Sequence, residues 1–109
     1  MTIFDVSELA PCILFVALTP AEGGDEEFER WYREEHLQMY STITHFRRTT
    51  RYELISSIQR NVPKYLAIHE FESKDIALDQ LARARGTEWA KKVLSGVQNK
   101  ERGVYELVR

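Results

Sequence analysis

Residues 28–40 read FERWYREEHLQMY. Together with the apolar segments on either side, this stretch is the main indication of the fold. Asp25 precedes it as the expected N-cap. Glu26 and Glu27 fall in the first turn, where acids suit the positive end of the helix dipole. Aromatic and apolar residues then recur at helical spacing. The stretch therefore predicts an amphipathic helix that ends near Tyr40.

The angular positions of the helix residues single out two side chains. At ~100° per residue with Phe28 at zero, Glu35 falls at ~−20° and His36 at ~80°. Glu35 is therefore expected in the middle of the apolar stripe, and His36 on its shoulder, one turn from Tyr32 and Tyr40. The other charged residues of the segment are expected on the solvated face; they are Glu26, Glu27, Arg30, Arg33 and Glu34.

Both side chains have a structural and a chemical interpretation. A carboxylate directed at a core is costly unless it is paired, so Glu35 is either a buried tether to Arg48, Arg51 or the strand backbone, or part of a binding pocket. The ordinary pKa of histidine, ~6.5, lets His36 act as a general acid or base near neutral pH. The alternative for His36 is a shoulder histidine that is hydrogen-bonded to a tyrosine or to solvent.

The rest of the chain alternates between strand-like and helix-like segments. Apolar runs with β-branched residues predict strands, and Ser73 and Thr87 are expected to cap two further helical segments. The predicted strands cover 12–20, 44–55, 64–72 and 102–109, and the further helical segments cover 74–84 and 88–96. The order β-α-β-β-α-β indicates a ferredoxin-like α+β fold, with an antiparallel four-stranded sheet and helices on one face.

Two of the predicted strands are apolar on both faces. In the first strand, Ile13, Phe15 and Ala17 point one way, and the residues between them, which are also apolar, point the other way. Because the helices can cover only one face, we expect the same sheet of a second copy to cover the other. This predicts a homodimer with its sheets packed face to face, closed as a dimeric α+β barrel. The alternative is that small strands are often apolar on both sides near their centres.

Length and composition bound the class of protein. A chain of 109 residues is expected to form one domain over 1–109, with residues 1–10 as a poorly structured N-terminal arm. The net charge of −2 and the lack of a basic block argue against a nucleic-acid partner. The longest apolar run, CILFVAL, is far shorter than the ~20 residues of a membrane span. The first ten residues do not resemble a signal peptide, and the single Cys12 favours a reducing, cytoplasmic location.

We predict neither a cofactor nor a metal. The three histidines, at 36, 45 and 69, lack the spacing of a metal site. The segment EGGDEE is not a phosphate-binding loop, because it has the wrong length and contains no lysine.

Three further residues are candidates for a site. His69 lies in the middle of strand 64–72 and is either a second proton-transfer group or a core histidine with one hydrogen bond. Arg51 shares a face of its strand with Thr49 and could hold a substrate carboxylate or enolate by bidentate contact. The alternative for Arg51 is solvated charge on an edge strand. Trp89 has helical spacing to two valines, so it is expected in the core, where it could also form a pocket wall.

The segment FERWYREEHL, on the first helix of a βαββαβ chain, resembles the EthD-like branch of the dimeric α+β barrel proteins. That branch has an aromatic first helix with a W-Y-x-x-x-H-type motif, which Trp31, Tyr32 and His36 match. RRTTRYEL and PKYLAIHEFE also resemble its second and third strands, so the similarity spans roughly residues 12–108. Many relatives have a Pro-Gly turn after the helix, whereas this chain has TITHF, with His45 in the place of the glycine.

The resemblance implies a homodimer, a pocket between the sheet and the helices, and cofactor-free acid/base chemistry with His36 as its proton-transfer group. Members of the family include isomerases, cyclases, decarboxylases and other small lyases. They also include proteins without known chemistry of their own.

These patterns lead to one main hypothesis and two alternatives. The main hypothesis is a small cofactor-independent enzyme, of isomerase, cyclase, lyase or decarboxylase type, that acts on a hydrophobic aromatic or polyketide-like carbonyl compound. His36 would transfer the proton, Tyr32 and Tyr40 would orient it or donate to the developing oxyanion, and His69 would assist. The alternatives are a non-catalytic dimeric binding or accessory protein with the same pocket, and a purely structural dimer. Substrate contacts would come from Trp31, Glu35, Met39, Arg51 and Trp89.

Overall fold

A four-stranded sheet is the frame of the molecule. The computed structural model describes residues 8–82 and 87–108, and its strands are β1 Cys12–Thr19, β2 Phe46–Glu53, β3 Tyr65–Phe71 and β4 Asn99–Glu106. They lie in the order β2-β3-β1-β4, and every neighbouring pair is antiparallel. This order, with helices packed on one face, is that of the ferredoxin-like α+β fold, so the predicted fold is confirmed.

Helical segments connect the strands. The first helix consists of α1 Asp25–Trp31, a π-helical turn Tyr32–His36 and α2 Leu37–Ser41, and β3 is followed by α3 Lys74–Ala82 and α4 Glu88–Ser95. Thr87 caps α4 as predicted, because its Oγ1 accepts a hydrogen bond from the Ala90 N–H at 3.0 Å. Within residues 8–82 and 87–108, no helix is long and apolar enough to cross a membrane.

Three sequence predictions fall partly outside the described residues, and one of them is the last strand, whose predicted end at 109 is not among the residues described. The helical segment predicted over 74–84 is observed to Ala82, and its last two positions are not among the residues described. The predicted N-terminal arm, 1–10, is described only from residue 8, where Ala10 is buried with 7% of its surface exposed.

The two edge strands differ most from their predictions, β4 in its position along the chain and β2 in its length. The last strand begins at Asn99 rather than at 102, because β4 pairs with β1 from Thr19 opposite Asn99 to Cys12 opposite Glu106. Its first residues are polar because β4 is an edge strand, where polar side chains are tolerated. β2 begins at Phe46 rather than at 44, since the residues before it form a turn.

The start of the first helix also corrects a prediction. Gly24 is the N-cap and Asp25 is the first helical residue, so Asp25 does not cap the helix. Its carboxylate instead accepts hydrogen bonds from Lys64 Nζ at 2.5 Å and from the Tyr65 hydroxyl at 2.8 Å. The hydrogen bond from Lys64, and then that from Tyr65, hold the pKa of Asp25 below its usual value. Because Tyr65 begins β3, these contacts fasten the start of the first helix to the sheet.

The core lies between the helices and one face of the sheet, in two clusters. The first cluster joins the middle of the sheet to α1 and α4 through Leu18, Phe28, Trp31, Tyr32, Ala67 and Ala90. The second joins the sheet to α2 and α3 through Cys12, Leu14, Tyr40, Phe71 and Ala77. Burial, and then the charge of Glu106, raise the pKa of the Cys12 thiol, in keeping with a core position for this residue.

The opposite face of the sheet is open. It presents partly buried Ile13, Phe15 and Ile68, with the more exposed rings of Tyr52 and Tyr105 at its sides. The side chains on this face line a groove of about 370 Å³. The apolar second face predicted from the strand pattern is therefore present, and no part of the described chain covers it.

The turn before β2 yields a prediction about stability. His45 has a φ of 68°, in the left-handed region that favours glycine, and it occupies the position where the resemblance implies a glycine. We expect His45→Gly to raise the free energy of unfolding by about 0.5–1 kcal/mol, because the strain of the Cβ is removed. His45→Ala is the matched control: it removes the ring but keeps the Cβ, so urea unfolding should show no gain. Equal stabilisation by both variants would contradict the argument.

Candidate functional site

A single π-helical turn determines which side chains of the first helix are buried. The N–H of Leu37 bonds to the carbonyl of Tyr32, five residues earlier, instead of four as in an α-helix. The extra residue turns the following side chains relative to the α-helical expectation. His36 is consequently buried, with 6% of its surface exposed, and Glu35 is only partly buried. The prediction that placed Glu35 at the centre of the apolar stripe and His36 on its shoulder is therefore wrong.

The π turn aligns four rings along one side of the helix. Phe28, Tyr32, His36 and Tyr40 follow one another at a spacing of four residues. The centroids of successive rings lie 5.6, 4.9 and 5.0 Å apart. Trp31 stacks on His36 with its centroid at 4.6 Å and an angle of 23° between the rings. His36 is thus held between aromatic rings with its imidazole in a defined orientation.

His69 joins this group from the sheet. Thr49 Oγ1 lies 2.7 Å from Nδ1 and the Tyr32 hydroxyl lies 3.3 Å from Nε2, so both ring nitrogens are within hydrogen-bond distance of hydroxyl groups. The ring stacks on Tyr40 at 3.9 Å, with 6° between the planes, and is fully buried. Its centroid is 6.1 Å from that of His36. The face of β3 that carries His69 therefore turns toward the helices, and the four predicted catalytic residues converge.

A small cavity lies beside His36, between the helices and the sheet. Its volume is about 30 Å³. Trp31, Tyr32 and His36 form its helical wall, and the sheet and α4 supply Val16, Leu18, Leu94, Lys100 and Arg102. Arg102 is anchored by a hydrogen bond from its Nη2 to the Gln80 carbonyl at 3.4 Å. The cavity thus combines a histidine, a tyrosine and two cations with apolar walls.

Lys100 and Arg102 are the residues that sequence reasoning missed. Arg102 lay at the start of the predicted last strand, and Lys100 lay before it. Once β4 is known to pair Arg102 with Val16, alternation along the strand directs both side chains to the helix side. Lys100, Arg102 and Val104 are spaced two residues apart, which places them on one face of a strand. This spacing could have identified both cations only if the strand had been predicted to begin at Asn99.

Two buried polar atoms near this region lack a partner. The indole Nε1 of Trp31 and Oε2 of Glu35 have no hydrogen-bond partner among the described residues. A buried donor without an acceptor is costly, and such groups in native proteins often mark the place of a bound molecule or water. The predicted tether from Glu35 to Arg48, Arg51 or the strand backbone is therefore not made by that oxygen.

Arg51 is neither solvated nor free. Its side chain is 23% exposed and forms two hydrogen bonds with the Glu29 carboxylate, at 2.9 and 2.5 Å. Its guanidinium carbon lies 3.9 Å from the centroid of the Tyr32 ring. The alternative of solvated edge-strand charge is thus wrong for Arg51, which reaches the outer side of the aromatic group.

Of the five predicted substrate contacts only Trp31 lines the cavity beside His36: Glu35 and Arg51 are not in its wall, and Met39 and Trp89 pack elsewhere. Met39 packs against the second core cluster, and Trp89 packs against the first, as its predicted core position requires. The guanidinium of Arg30 lies over the Trp89 ring at 5.1 Å. Neither side chain lines the cavity. In the described parts of the chain, no three His, Cys, Asp or Glu residues are grouped to hold a metal ion.

The π turn gives a direct test by deletion. Removing Glu34, an exposed residue of the turn, should restore α-helical spacing and leave Tyr40 in its buried site. We expect the free energy of unfolding to change by about 1 kcal/mol or less. Removing Gln38 from α2 is the matched control, since it turns Tyr40 by ~100° out of the core and should cost roughly 3 kcal/mol or more. If urea unfolding shows the same loss of unfolding free energy for both deletions, the interpretation that the π turn holds one extra residue is contradicted.

Comparison with known proteins identifies the fold. No protein-family model and no curated protein matches this chain. Among solved structures, the Arabidopsis thaliana protein At3g17210 matches with a TM-score of 0.72 at 15% identity, over 91% of this chain and 97% of that one. SnoaB, a cofactor-independent oxygenase from Streptomyces nogalater, matches with a TM-score of 0.63 at 20% identity, over 92% and 96% of the two chains. The heme-degrader MhuD from Mycobacterium tuberculosis matches with a TM-score of 0.57 at 13% identity, over 91% and 97%.

At these identities the likeness concerns the fold alone. The chain shares the ferredoxin-like fold of these proteins along nearly its whole length, and membership of the EthD-like branch stays a prediction.

Proposed function

We propose that this protein is a small cofactor-independent enzyme that transfers a proton next to the carbonyl group of a hydrophobic aromatic or polyketide-like substrate. The observation that carries the proposal is the position of His36, buried against three aromatic rings and in the wall of a cavity. Imidazole is the side chain best suited to move a proton near neutral pH.

The surroundings of His36 support this role. Removing a proton beside a carbonyl places negative charge on the carbonyl oxygen, and Lys100 and Arg102 in the same cavity wall would stabilise that charge. The unpartnered indole N–H of Trp31 is a further donor for a substrate oxygen. His69, between Thr49 and Tyr32, would set the direction of the Tyr32 hydroxyl. Isomerisation, cyclisation, decarboxylation and elimination could each be completed from the stabilised anion.

The size of the cavity implies that side chains move when a substrate binds. A cavity that holds benzene measures about 150 Å³, several times the volume beside His36. Lys100 is exposed and Leu94 is partly exposed, so both can turn outward more easily than the rings on the helix. We therefore expect the substrate to enter past these two residues or past the neighbouring wall at Arg51.

Two other functions are kept as alternatives. The likeness to SnoaB, which is a cofactor-independent oxygenase, favours oxygenation as a second candidate, because deprotonation by His36 would also prepare an electron-rich substrate for O₂. A non-catalytic binding or accessory protein would use the same cavity without turnover. The EthD-like resemblance, carried by Trp31, Tyr32 and His36, supports an enzymatic function over a non-catalytic one.

Deuterium exchange provides the test of catalysis. In D₂O, the wild-type protein should accelerate exchange of the α-protons of 2-tetralone, a cyclic ketone fused to a benzene ring. NMR would follow this exchange. We expect His36→Gln to lower the catalysed rate by about 10²-fold or more, since the general base is lost. His45→Gln, which alters an exposed histidine, is the control and should retain the rate. A His36→Gln variant that exchanges as fast as the wild type would remove His36 from the mechanism.

We further propose that the protein is a homodimer that joins through the open face of the sheet. The chain measures 48 × 36 × 20 Å, so it is a thin plate. Helices cover one apolar face of its sheet, and none of the described residues covers the other. Partly buried Ile13, Phe15 and Ile68 lie on that uncovered face. Covering them with the same face of a second copy would remove their apolar surface from water.

Light scattering after size exclusion tests the dimer. The wild type should have twice the chain mass of 12.8 kDa, and Ile68→Glu should have the mass of one chain, because it places a carboxylate in the apolar interface. Leu78→Glu on α3, where the leucine is 47% exposed, is the control and should remain dimeric. A wild-type protein that stays monomeric at every concentration would refute the proposal.

A further inference from the structure

Arg51 lies one aromatic ring away from the proposed proton-transfer group. Its guanidinium carbon is 3.9 Å from the centroid of Tyr32, and the Tyr32 ring meets the His36 ring edge-on, with centroids 4.9 Å apart. Phe28 also lies near the guanidinium, at 5.8 Å. The cation is therefore fixed on the side of Tyr32 by the rings of the helix.

Arg51 lines both an open cleft at the surface and a small internal cavity. An open cleft of about 290 Å³ is lined by Glu29, Arg51, Tyr52, Glu53 and Tyr65. A cavity of about 10 Å³ has Arg51 and Tyr65 in its wall too, and it shares Val16, Leu18 and Tyr32 with the cavity beside His36. A molecule in the cleft would thus meet Arg51 before it could approach His36.

The guanidinium is already occupied by a carboxylate. Nη1 and Nη2 of Arg51 donate to the two oxygens of Glu29, which is the bidentate geometry that a free carboxylate would adopt. Burial is the largest single effect on Arg51 and opposes its charge, but the hydrogen bonds and the charge of Glu29, together with Tyr32 and Tyr65, raise the pKa of Arg51 overall. Arg51 therefore remains a cation, with its fork of donors directed at an anion.

The two partners differ in how firmly they are held. Arg51 is confined by the sheet and by the rings of Tyr32 and Phe28, and its side chain is 23% exposed. The Glu29 side chain is 34% exposed on the surface of α1, so it can turn into water, where solvation of its charge offsets the lost ion pair. In an exchange, Glu29 would leave and Arg51 would stay in place.

We propose that Arg51 is an anchor for the carboxylate of an acidic substrate, which takes the place of Glu29. The inference rests on the proposed function, because it uses His36 as the reacting group at the other end of the substrate. Since one ring separates the two residues, the substrate would be an aromatic acid whose carboxylate and reactive carbonyl lie at opposite ends of a ring. Arg51 would then determine specificity for acids over neutral carbonyl compounds.

A pair of probes that differ only in charge tests the anchor. 4-Acetylbenzoate has a carboxylate and a ketone at opposite ends of one ring, and 4-acetylbenzamide is its neutral counterpart. Binding of each would be measured by NMR titration of the folded protein at moderate salt concentration. We expect the wild type to bind the carboxylate about tenfold more tightly than the amide, and Arg51→Gln to remove this preference. Arg51→Lys, which keeps the charge without the fork, should retain part of it.

Glu29→Gln and Glu53→Gln form the decisive comparison. Each removes one negative charge from the cleft, but only Glu29 competes for Arg51. We expect Glu29→Gln to tighten binding of the carboxylate probe about fivefold or more and Glu53→Gln to change it less than twofold. Equal tightening by both variants would show a general field effect and overturn the exchange. A carboxylate preference that survives in Arg51→Gln would also overturn it.

The two proposals can fail separately. If the wild-type protein binds neither probe, or binds both equally, the anchor at Arg51 is refuted, and exchange of 2-tetralone protons still reports on His36. If His36→Gln retains that exchange while the carboxylate preference depends on Arg51, the protein is a binder of aromatic acids without the proposed chemistry. Circular dichroism of each variant would confirm that the fold is intact before binding is compared.

Discussion

The hydrogen bond from the Leu37 N–H to the Tyr32 carbonyl is the constraint on which the candidate site depends. By enclosing one extra residue in the first helix, it places His36 on the buried side and leaves Glu35 only partly buried. Rings at a spacing of four residues then contact one another along the helix in tilted and edge-on pairs, whereas an unbroken α-helix would spread them around its axis. π turns of this kind occur often at functional sites, and here the turn delivers the imidazole to the cavity.

The sheet contributes the second half of the site. Thr49 on β2 and His69 on β3 lie opposite each other in the sheet, and His69 reaches the Tyr32 hydroxyl on the helix. Cations lie on two sides of this aromatic group, with Arg51 against Tyr32 and Arg102 in the wall of the cavity. Such an arrangement suits a reaction in which negative charge develops on the substrate, as the proposed proton transfer requires.

Much of the fold could be predicted from the chain, because apolar alternation and capping residues act locally. The order of helices and strands along the chain, the cap at Thr87 and the apolar second face were all indicated by such patterns. The error in the last strand lay where pairing between distant segments decides the outcome. β4 begins at polar Asn99 because β1 offers partners along its whole length, which the composition of β4 does not reveal.

The fold class and the residue types available for chemistry could be predicted, because both follow from periodicity and composition over short distances. Which side chains meet depends on the three-dimensional structure. The α-helical period assigned the buried position to Glu35, and the π turn assigned it to His36, because one extra residue rotates everything that follows it. Packing of the helix on the sheet likewise brought Arg51 to Tyr32 and Arg102 to the cavity, contacts between segments that are far apart in the chain.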